Sequence, residues 1–386
     1  MRIANRTLVV LAAALCQTHP LAAQGRGAVT RVPATWTVDN QPIFDVGAES
    51  EDTLETFGEV TGVARLPTGE VVIADRKAFA LRYFSATGQY RRAVGRRGEG
   101  PGEFSESILR LLYCGDSLFV MDWNHRLHVF SQNGVFKRTA VLAPPRPGES
   151  PYNIACNRAG LMLSYGWEKR GDGKPGTYRP AVPFWIADPN GAIHSLLGFH
   201  PGSERFGDMI RGVLSGSGPL PLGKQPVVAI GRDRAYIGTA DSFAIEVYRL
   251  DGSRIGTILK PGVDLRTTRA DIEHFLLVDT AGKPEESKAG TMKRYATSVT
   301  YPKTIPAYSA LVIDSDDNLW VERYPRAGEA AAHWLVFSPA GAELARIEMP
   351  LNFNVAQIGR DYVLGVSIEL PDGVHHVKEF RLRRAR

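Results

Sequence analysis

The side chains that could do chemistry in this sequence lie at the starts of short predicted strands and form no catalytic motif. They are polar or aromatic and recur along the chain: Glu59, Thr61, Arg110, Tyr152, Asn153, Lys224, Gln225, Tyr308, Ser309 and Asn354. Neither GxSxG nor HExxH occurs, so neither a nucleophile elbow nor a zincin site is predicted. Polar and aromatic groups of this kind are typical of ligand binding when a fold gathers them in one concavity.

Two histidine pairs and one acidic loop resemble metal sites at first reading. The pairs are His125 with His128, and His375 with His376. Residues one or three apart in a strand face opposite sides, so neither pair can converge on one ion. Asp314, Asp316 and Asn318 resemble a calcium loop, but Leu319 replaces the glycine that such a loop requires. The acidic segment is therefore predicted to be a tight hairpin turn.

Cys114 and Cys156 each end a predicted innermost strand, in consecutive repeats of the chain. Equivalent positions in neighbouring repeats can lie close enough to bridge, and an oxidising compartment favours the bond. The alternative is two separate buried thiols, because Cα atoms more than ~7 Å apart cannot be bridged. No His/Asn context marks either cysteine as a nucleophile.

The elements that must position these side chains are repeated β-rich runs. Six runs of one kind are present: Val71 to Asp75, Leu118 to Asp122, Leu161 to Tyr165, Ala235 to Thr239, Leu319 to Arg323 and Tyr362 to Val366. The first five are followed by a second strand that ends in a glycine-containing turn, at Gly88, Gly134, Gly191, Gly252 and Gly341. Four-strand units repeated at about 40 to 50 residues or more predict radial blades around a central channel.

We therefore predict an all-β, six-bladed β-propeller. The sixth repeat lacks its last hairpin, so Ile43 to Gly47 is expected to supply the missing strand and to close the ring. Loops such as Arg92 to Phe104 and Leu196 to Phe206 are expected to follow the fourth strands. The longest gap between turns predicts a partly helical insertion at about 262–304, between blades 4 and 5, with a capping box at Thr268 and Asp271. It is expected to be either a lid over the channel or a surface ornament.

The N-terminus has the pattern of a cleavable secretory signal. Arg2 and Arg6 precede the apolar run Leu8 to Cys16, and Ala23 fits a cleavage site, so residues 1–23 are predicted to be removed and 24–386 to form the propeller. No other run approaches the roughly 20 apolar residues of a membrane span. The chain has 386 residues and a net charge of +5. The signal predicts a periplasmic or extracellular protein, which is expected to be a monomer. Its basic residues are scattered apart from short clusters at 91–97 and 381–386, so no nucleic-acid partner is predicted.

The segment Gly95 to Phe104, GRRGEGPGEF, resembles the loops that join blades in NHL-like six-bladed β-propellers. The resemblance covers Ile43 to the C-terminus and is recognisable again at Ile305 to Glu322. More narrowly, the chain resembles exported bacterial six-bladed propeller proteins of undetermined function. The resemblance implies a fold and not a reaction, because one fold supports many functions.

A second resemblance, to the gluconolactonase and paraoxonase-like lactonases, implies a different function. In those propellers a Glu, an Asn and an Asp hold a divalent ion that acts as a Lewis acid. Glu59 resembles the Glu and Asn153 resembles the Asn, whereas Ser309 stands where the Asp is expected. The alternative prediction is thus a metal-dependent hydrolase or lactonase that holds calcium or another divalent cation.

The sequence favours a binding or interaction module without catalysis or a cofactor. Its predicted site at the channel mouth comprises Glu59, Arg110, Tyr152, Asn153, Lys224, Tyr308, Ser309 and Asn354. The expected partner is a protein, a peptide, a carbohydrate or another small molecule. A third possibility is a purely structural role with contact to anionic surface polymers, which salt would weaken.

Overall fold

The structure, a computed structural model, describes residues 32–47, 56–147, 149–167, 176–210 and 213–385. The predicted secretory signal lies outside these residues. In the described part of the chain, strands alternate with turns, and two helices, α1 (Arg269–Asp279) and α2 (Glu285–Ser298), occur together.

Two strands come first in the chain, β1 (Ala34–Thr35) and β2 (Thr37–Gly47). The next two sheets contain β3 (Val60–Arg65), β4 (Val71–Asp75), β5 (Ala80–Phe84) and β6 (Tyr90–Val94), then β7 (Ile108–Cys114), β8 (Ser117–Asp122), β9 (Arg126–Ser131) and β10 (Phe136–Val141). The following region contains β11 (Ser150–Cys156), β12 (Met162–Trp167), β13 (Gly176–Tyr178), β14 (Ala181–Ala187), β15 (Ile193–Pro201), β16 (Arg205–Ile210) and β17 (Val213–Pro219).

The remaining strands are β18 (Val227–Ile230), β19 (Arg234–Gly238), β20 (Ala244–Arg249), β21 (Arg254–Leu259), β22 (Tyr308–Ile313), β23 (Leu319–Arg323), β24 (Ala332–Phe337), β25 (Glu343–Met349), β26 (Phe353–Ile358), β27 (Tyr362–Glu369) and β28 (Val374–Arg383). Across the described ranges, the strands form six sheets of four or five strands and one sheet of three, β13-β16-β17. Strands β15 and β16 occupy most of Leu196 to Phe206, so the prediction of a loop there is wrong.

In each larger sheet, the strands pair antiparallel as a meander. Two of these sheets gain one further strand, β1 or β2, at their outer edge. Strand β1 pairs in parallel with β25. Strand β2 pairs antiparallel with β28, and Phe44 to Gly47 lie opposite His376 to Glu379. The predicted pairing of the segment at Ile43 to Gly47 with the C-terminal strand is thus present, and it covers a sheet edge that would otherwise be open.

The core lies between consecutive sheets. The second strand of a sheet is covered on both faces, so all residues of β4 and β8 are buried and both read as continuous apolar runs. The six predicted runs are these second strands. One core cluster joins Phe44 and Leu364 of the sheet that contains the C-terminal strands to Val63 and Ile73 of the sheet that starts with β3.

The first strands of the six larger sheets lie innermost. We call β3, β7, β11, β18, β22 and β26 the inner strands. Each contacts the next in chain order, and β26 contacts β3. The inner strands therefore form a closed circle, and the first and last sheets are neighbours.

The predicted capping box is present at the start of α1. The Thr268 hydroxyl accepts a hydrogen bond from the Asp271 backbone N–H at 3.2 Å, and the Asp271 carboxylate accepts one from the Thr268 backbone N–H at 2.9 Å. This reciprocal pair satisfies two amide groups that the first turn of a helix leaves open.

Candidate functional site

The inner strands enclose a channel of about 1390 Å³. Its wall is formed by residues of all six inner strands: 60–65, 110–112, 154–156, 227–230, 309–313 and 354–358. We call the end at which the inner strands begin the start end, and the end at which they turn into the second strands the turn end. A concave space of this size can hold a small molecule or a peptide side chain.

Irregular pairing near the start end changes which side chains face the channel. Among the described inner strands, all except β18 contain a register shift against their second strand. The shifts fall at Thr61, Leu109, Asn153 to Ile154, Ser309 and Ala356. A β-bulge leaves one residue unpaired and re-aims its side chain, and such bulges often adjoin functional sites.

Three of the predicted site residues lie on the channel wall: Arg110, Ser309 and Asn354. Arg110 reaches across to the next inner strand, where its guanidinium donates to the Ile154 carbonyl oxygen at 3.5 Å. Asn354 is exposed near the start of β26. The side chains of Tyr152 and Asn153 lie outside the described residues, although both belong to strand β11.

Tyr308 and Lys224 occupy packing positions rather than positions on the wall. The Tyr308 ring is 1% exposed, and its hydroxyl donates to the Ala244 carbonyl oxygen at 2.8 Å and accepts from the Ala240 amide at 3.1 Å. The Lys224 ammonium is also buried and donates to the Thr304 carbonyl oxygen at 2.8 Å. Their polar atoms therefore fix neighbouring backbone instead of facing the channel.

Glu59 lies just ahead of β3 and forms an ion pair with Arg76 at 2.7 Å. Arg76 also donates to the Ile108 carbonyl oxygen at 3.1 Å, so the pair links the start of one inner strand to the start of the next. This contact occupies the Glu59 carboxylate that the metal-site interpretation requires.

Two residues that were not part of the predicted channel site belong to the start end. His375 lines the channel, and its Nδ1 accepts from the Val60 amide at 3.3 Å. Burial lowers the pKa of His375, although the negative charge of Glu59 acts in the opposite direction. His376 instead contacts Asp45 at 3.2 Å, which agrees with the divergence expected of adjacent strand residues.

The second such residue is Glu322, at the end of the apolar run Leu319 to Arg323. Ser309 Oγ donates a hydrogen bond to Glu322 Oε2 at 2.6 Å. Burial raises the pKa of Glu322 to about 7, and the Ser309 hydrogen bond opposes part of that rise. The one sequence feature that could have indicated Glu322 is its position two residues after Trp320. That spacing places the carboxylate on the same face of the strand as the buried Trp320 side chain.

The other buried acids have cationic partners. The pairs are Asp75 with Arg82 at 3.1 Å, Asp122 with Arg126 at 2.8 Å, Asp271 with Arg326 at 2.8 Å, Asp314 with Arg384 at 3.1 Å and Glu379 with Arg65 at 2.8 Å. No ion pair of Glu322 occurs in the described ranges. An ionised carboxylate enclosed by protein is costly unless it is paired, so Glu322 differs from these acids.

The turn end is held by covalent and polar links. Cys114 and Cys156 form a disulfide between β7 and β11, with Cα atoms 5.8 Å apart. Asp314 accepts from the Trp320 indole N–H at 2.9 Å and from the Asn318 amide at 2.8 Å. This carboxylate therefore caps a hairpin turn, as the sequence predicted for the acidic loop.

The glycine-rich loop Gly95 to Phe104 is held in shape by hydrogen bonds between its own residues. The Glu103 carboxylate accepts from the Gly100 amide at 2.9 Å and from the Arg96 guanidinium at 2.6 Å. Phe104 is fully buried between the first two sheets. These contacts are those of a connection between sheets.

The chain between β21 and β22, which contains both helices, is tied down at several points. Arg326 donates to the Arg266 carbonyl oxygen at 2.8 Å, and the Gly282 amide donates to the Pro371 carbonyl oxygen at 2.9 Å. Arg326 and Pro371 lie in turns between second and third strands. Because the strands are antiparallel, those turns are at the start end. No described helix is long and apolar enough to cross a membrane.

No protein-family model matches the chain, and no curated protein matches its sequence. Among solved structures it is similar to a member of the DUF4221 family from Bacteroides vulgatus, at 11% identity and TM-score 0.53, covering 91% of this chain and 98% of that chain. The calcium-binding protein regucalcin from Agrobacterium tumefaciens aligns at 11% identity and TM-score 0.45, covering 92% and 98%. A luciferin-regenerating enzyme aligns at 9% identity and TM-score 0.42, covering 85% and 92%.

Identities this low establish a fold and nothing about activity. The similarity at TM-score 0.53 agrees with the antiparallel sheets and the circle of inner strands described above. The chain has an all-β fold of the β-propeller kind.

Proposed function

We propose that this chain is an exported β-propeller of six blades that binds a ligand or a partner at the start end of its channel and has no catalysis of its own. The observation that carries the proposal is the set of register shifts on the inner strands, of which the one at Ser309 places a polar side chain on the wall of the channel. A rigid closed ring that presents polar groups in a concavity is suited to binding.

The six blades of this proposal correspond to the six larger sheets, with β2 completing the last blade. The chain between β21 and β22 is then an insertion between blades 4 and 5. Its links to turns at the start end support a position beside the proposed site, where it would act as a lid or as a fixed wall. Export, a monomeric state and the NHL-like relationship are further parts of the proposal, and they rest on the sequence patterns.

The alternative is a metal-dependent hydrolase that uses Glu59 and Asn153 as metal ligands. It has less support from the described residues, since Glu59 is paired with Arg76 and Ser309 donates its hydroxyl hydrogen to Glu322. Glu59 and Ser309 therefore do not fit a divalent ion as metal ligands, because such an ion would need a free Glu59 carboxylate and a third charged ligand. If the alternative holds, calcium raises the melting temperature, a chelator lowers it, and Glu59→Gln removes the difference.

Binding in the channel can be tested by filling it. Ala356 lies on the wall at a register shift, so Ala356→Trp should block the channel without cutting into the core between sheets. Ala340, exposed in an outer turn, gives the matched control Ala340→Trp. We expect compounds that raise the melting temperature of the wild type to have no effect on Ala356→Trp and full effect on Ala340→Trp. Equal effects on both variants would contradict a channel site.

A further inference from the structure

The unpaired carboxylate at the start end indicates what kind of ligand the channel takes. Glu322 is half-buried, yet its surroundings hold the pKa at about 7. Each of the other buried acids named above has an arginine within 3.1 Å. In Glu322 one oxygen accepts from Ser309, and no described residue donates to the other oxygen. The partner of the Glu322 carboxylate is thus a hydroxyl group, whereas the partner of each other buried acid is an arginine.

The elements packed around Glu322 add no charge near it. Its cross-strand neighbours are Ala310 of β22 and Trp334 of β24, and β26 has no charged residue between Phe353 and Ile358. The next residue on its own strand, Arg323, pairs with Glu329 at 2.9 Å. On β24, His333 lies 3.9 Å from Glu329 and 3.5 Å from Glu348. The titratable groups on these elements thus contact other acids.

The carboxylate is within reach of the channel. Ser309 lines the wall at a register shift, and its Oγ lies 2.6 Å from Glu322 Oε2. A ligand group that contacts Ser309 therefore comes next to a carboxylate that has no cationic partner among the described residues. A cation on the ligand would complete the pairing that arginine completes elsewhere in this protein.

We propose that Ser309 and Glu322 bind the ammonium group of an organic cation that enters the channel from the start end. This inference rests on the proposed channel site. An ammonium has three N–H donors and no acceptor, which suits one carboxylate and one hydroxyl oxygen. A calcium ion takes six to eight oxygen ligands, more than this pair offers.

Binding should depend on pH, since only the ionised carboxylate attracts the ammonium. Glu322 loses its proton near pH 7, so affinity should rise as the pH is raised through that value. Between about pH 5.5 and 8.5 the affinity should change by at least about tenfold.

Cyclohexylammonium and cyclohexanol are suitable probes, because they share a shape and differ in charge. We expect calorimetry on the full protein at about pH 8.5 to show saturable binding of the ammonium, at least about tenfold tighter than that of the alcohol. Glu322→Gln should remove both the preference and the pH dependence. The matched control Glu348→Gln, at a carboxylate whose side chain is 71% exposed on β25, should retain both.

Three results would overturn the inference: equal binding of the two probes, no binding of either, or unchanged ammonium binding by Glu322→Gln. Equal binding that Ala356→Trp abolishes would leave the channel site standing and reject only the ammonium. If calcium stabilises the wild type but not Glu322→Gln, and the ammonium does not bind, the carboxylate is a metal ligand instead. Folding of Glu322→Gln is checked by its melting temperature at the same pH.

Discussion

Two acids at opposite ends of the inner strands, Asp314 and Glu322, have different partners. At the turn end, Asp314 accepts from the Trp320 indole at 2.9 Å and forms an ion pair with Arg384 at 3.1 Å. At the start end, Glu322 accepts one hydrogen bond from the described part of the chain, that of Ser309. The turn end also has the disulfide, whereas the start end has the register shifts.

The difference between Asp314 and Glu322 indicates which polar groups stabilise the fold and which are available to a ligand. Polar groups that the protein itself satisfies act as structural links, and removing one partner leaves the other buried and unpaired. Polar groups that the protein leaves without partners add little to stability and remain available to a ligand. Substitution of Asp314 should therefore destabilise the fold, and substitution of Glu322 should alter binding with a smaller or opposite effect on stability.

The largest effect is expected for Asp314→Ala at the turn end. It removes the acceptor for Trp320 and one partner of the half-buried Arg384, and Asp314 itself is fully buried, so the free energy of unfolding should fall by about 3–5 kcal/mol. Urea denaturation near pH 7 measures the change. Asp316→Ala is the control, because that side chain is 38% exposed and its pairs with Arg360 and Arg384 should contribute less than about 1 kcal/mol.

The disulfide should give the next largest effect. Cys114 and Cys156 are 42 residues apart in sequence, so the bond restricts the unfolded chain. Replacing both with Ser should lower the free energy of unfolding by about 2–4 kcal/mol. Treatment of the wild type with a reductant should give the same loss. A reductant that leaves the wild type unchanged while the double variant is destabilised would refute the bond as the cause.

At the start end, Glu322→Gln should stabilise the protein at high pH. The folded-state pKa of about 7 lies above the ordinary value of 4.5, so the folded state holds the proton more tightly. Stability of the wild type therefore falls as the pH rises from about 4.5 to 7, by up to about 3 kcal/mol. Glu322→Gln should lack this fall. Denaturation at several pH values gives the comparison, and identical pH profiles would contradict the assigned environment.

The smallest effect is expected for Thr61→Val. The Thr61 hydroxyl oxygen is buried and has no hydrogen-bond partner in the described ranges. Its replacement by a methyl group should leave the free energy of unfolding unchanged or raise it by up to about 1 kcal/mol. Thr87→Val gives the contrast, since the Thr87 hydroxyl lies 3.0 Å from the Ser85 hydroxyl and its loss should be destabilising. A clear loss of stability in Thr61→Val would mean that a partner had been missed.

Much of the fold could be predicted from local sequence patterns. Gly88 and Gly134 adopt φ of 85° and 83° in turns between third and fourth strands, a conformation that few other residues tolerate. The second strands were visible as apolar runs because both of their faces are covered. The sheet β13-β16-β17 was not predicted, since β13 pairs with a strand that lies beyond β14 and β15 in sequence.

The site was less predictable because it depends on pairing register. A bulge at Ser309 changes the alternation of β22, so that Tyr308 packs in the core while Ser309 lines the channel. The sequence placed both residues at the start of the strand but could not show which of the two faces the channel. Glu322 was missed for a similar reason, since its role depends on the hydroxyl of a residue on the neighbouring strand.

A crystallographic fragment screen at about pH 8.5 tests the central claim most directly, because it locates binding without a prior choice of ligand. We expect fragments to gather at the start end of the channel beside Ser309, and those with an ammonium group to place it against Glu322. Fragments that gather at the turn end, or that leave the channel empty while binding elsewhere, would contradict it.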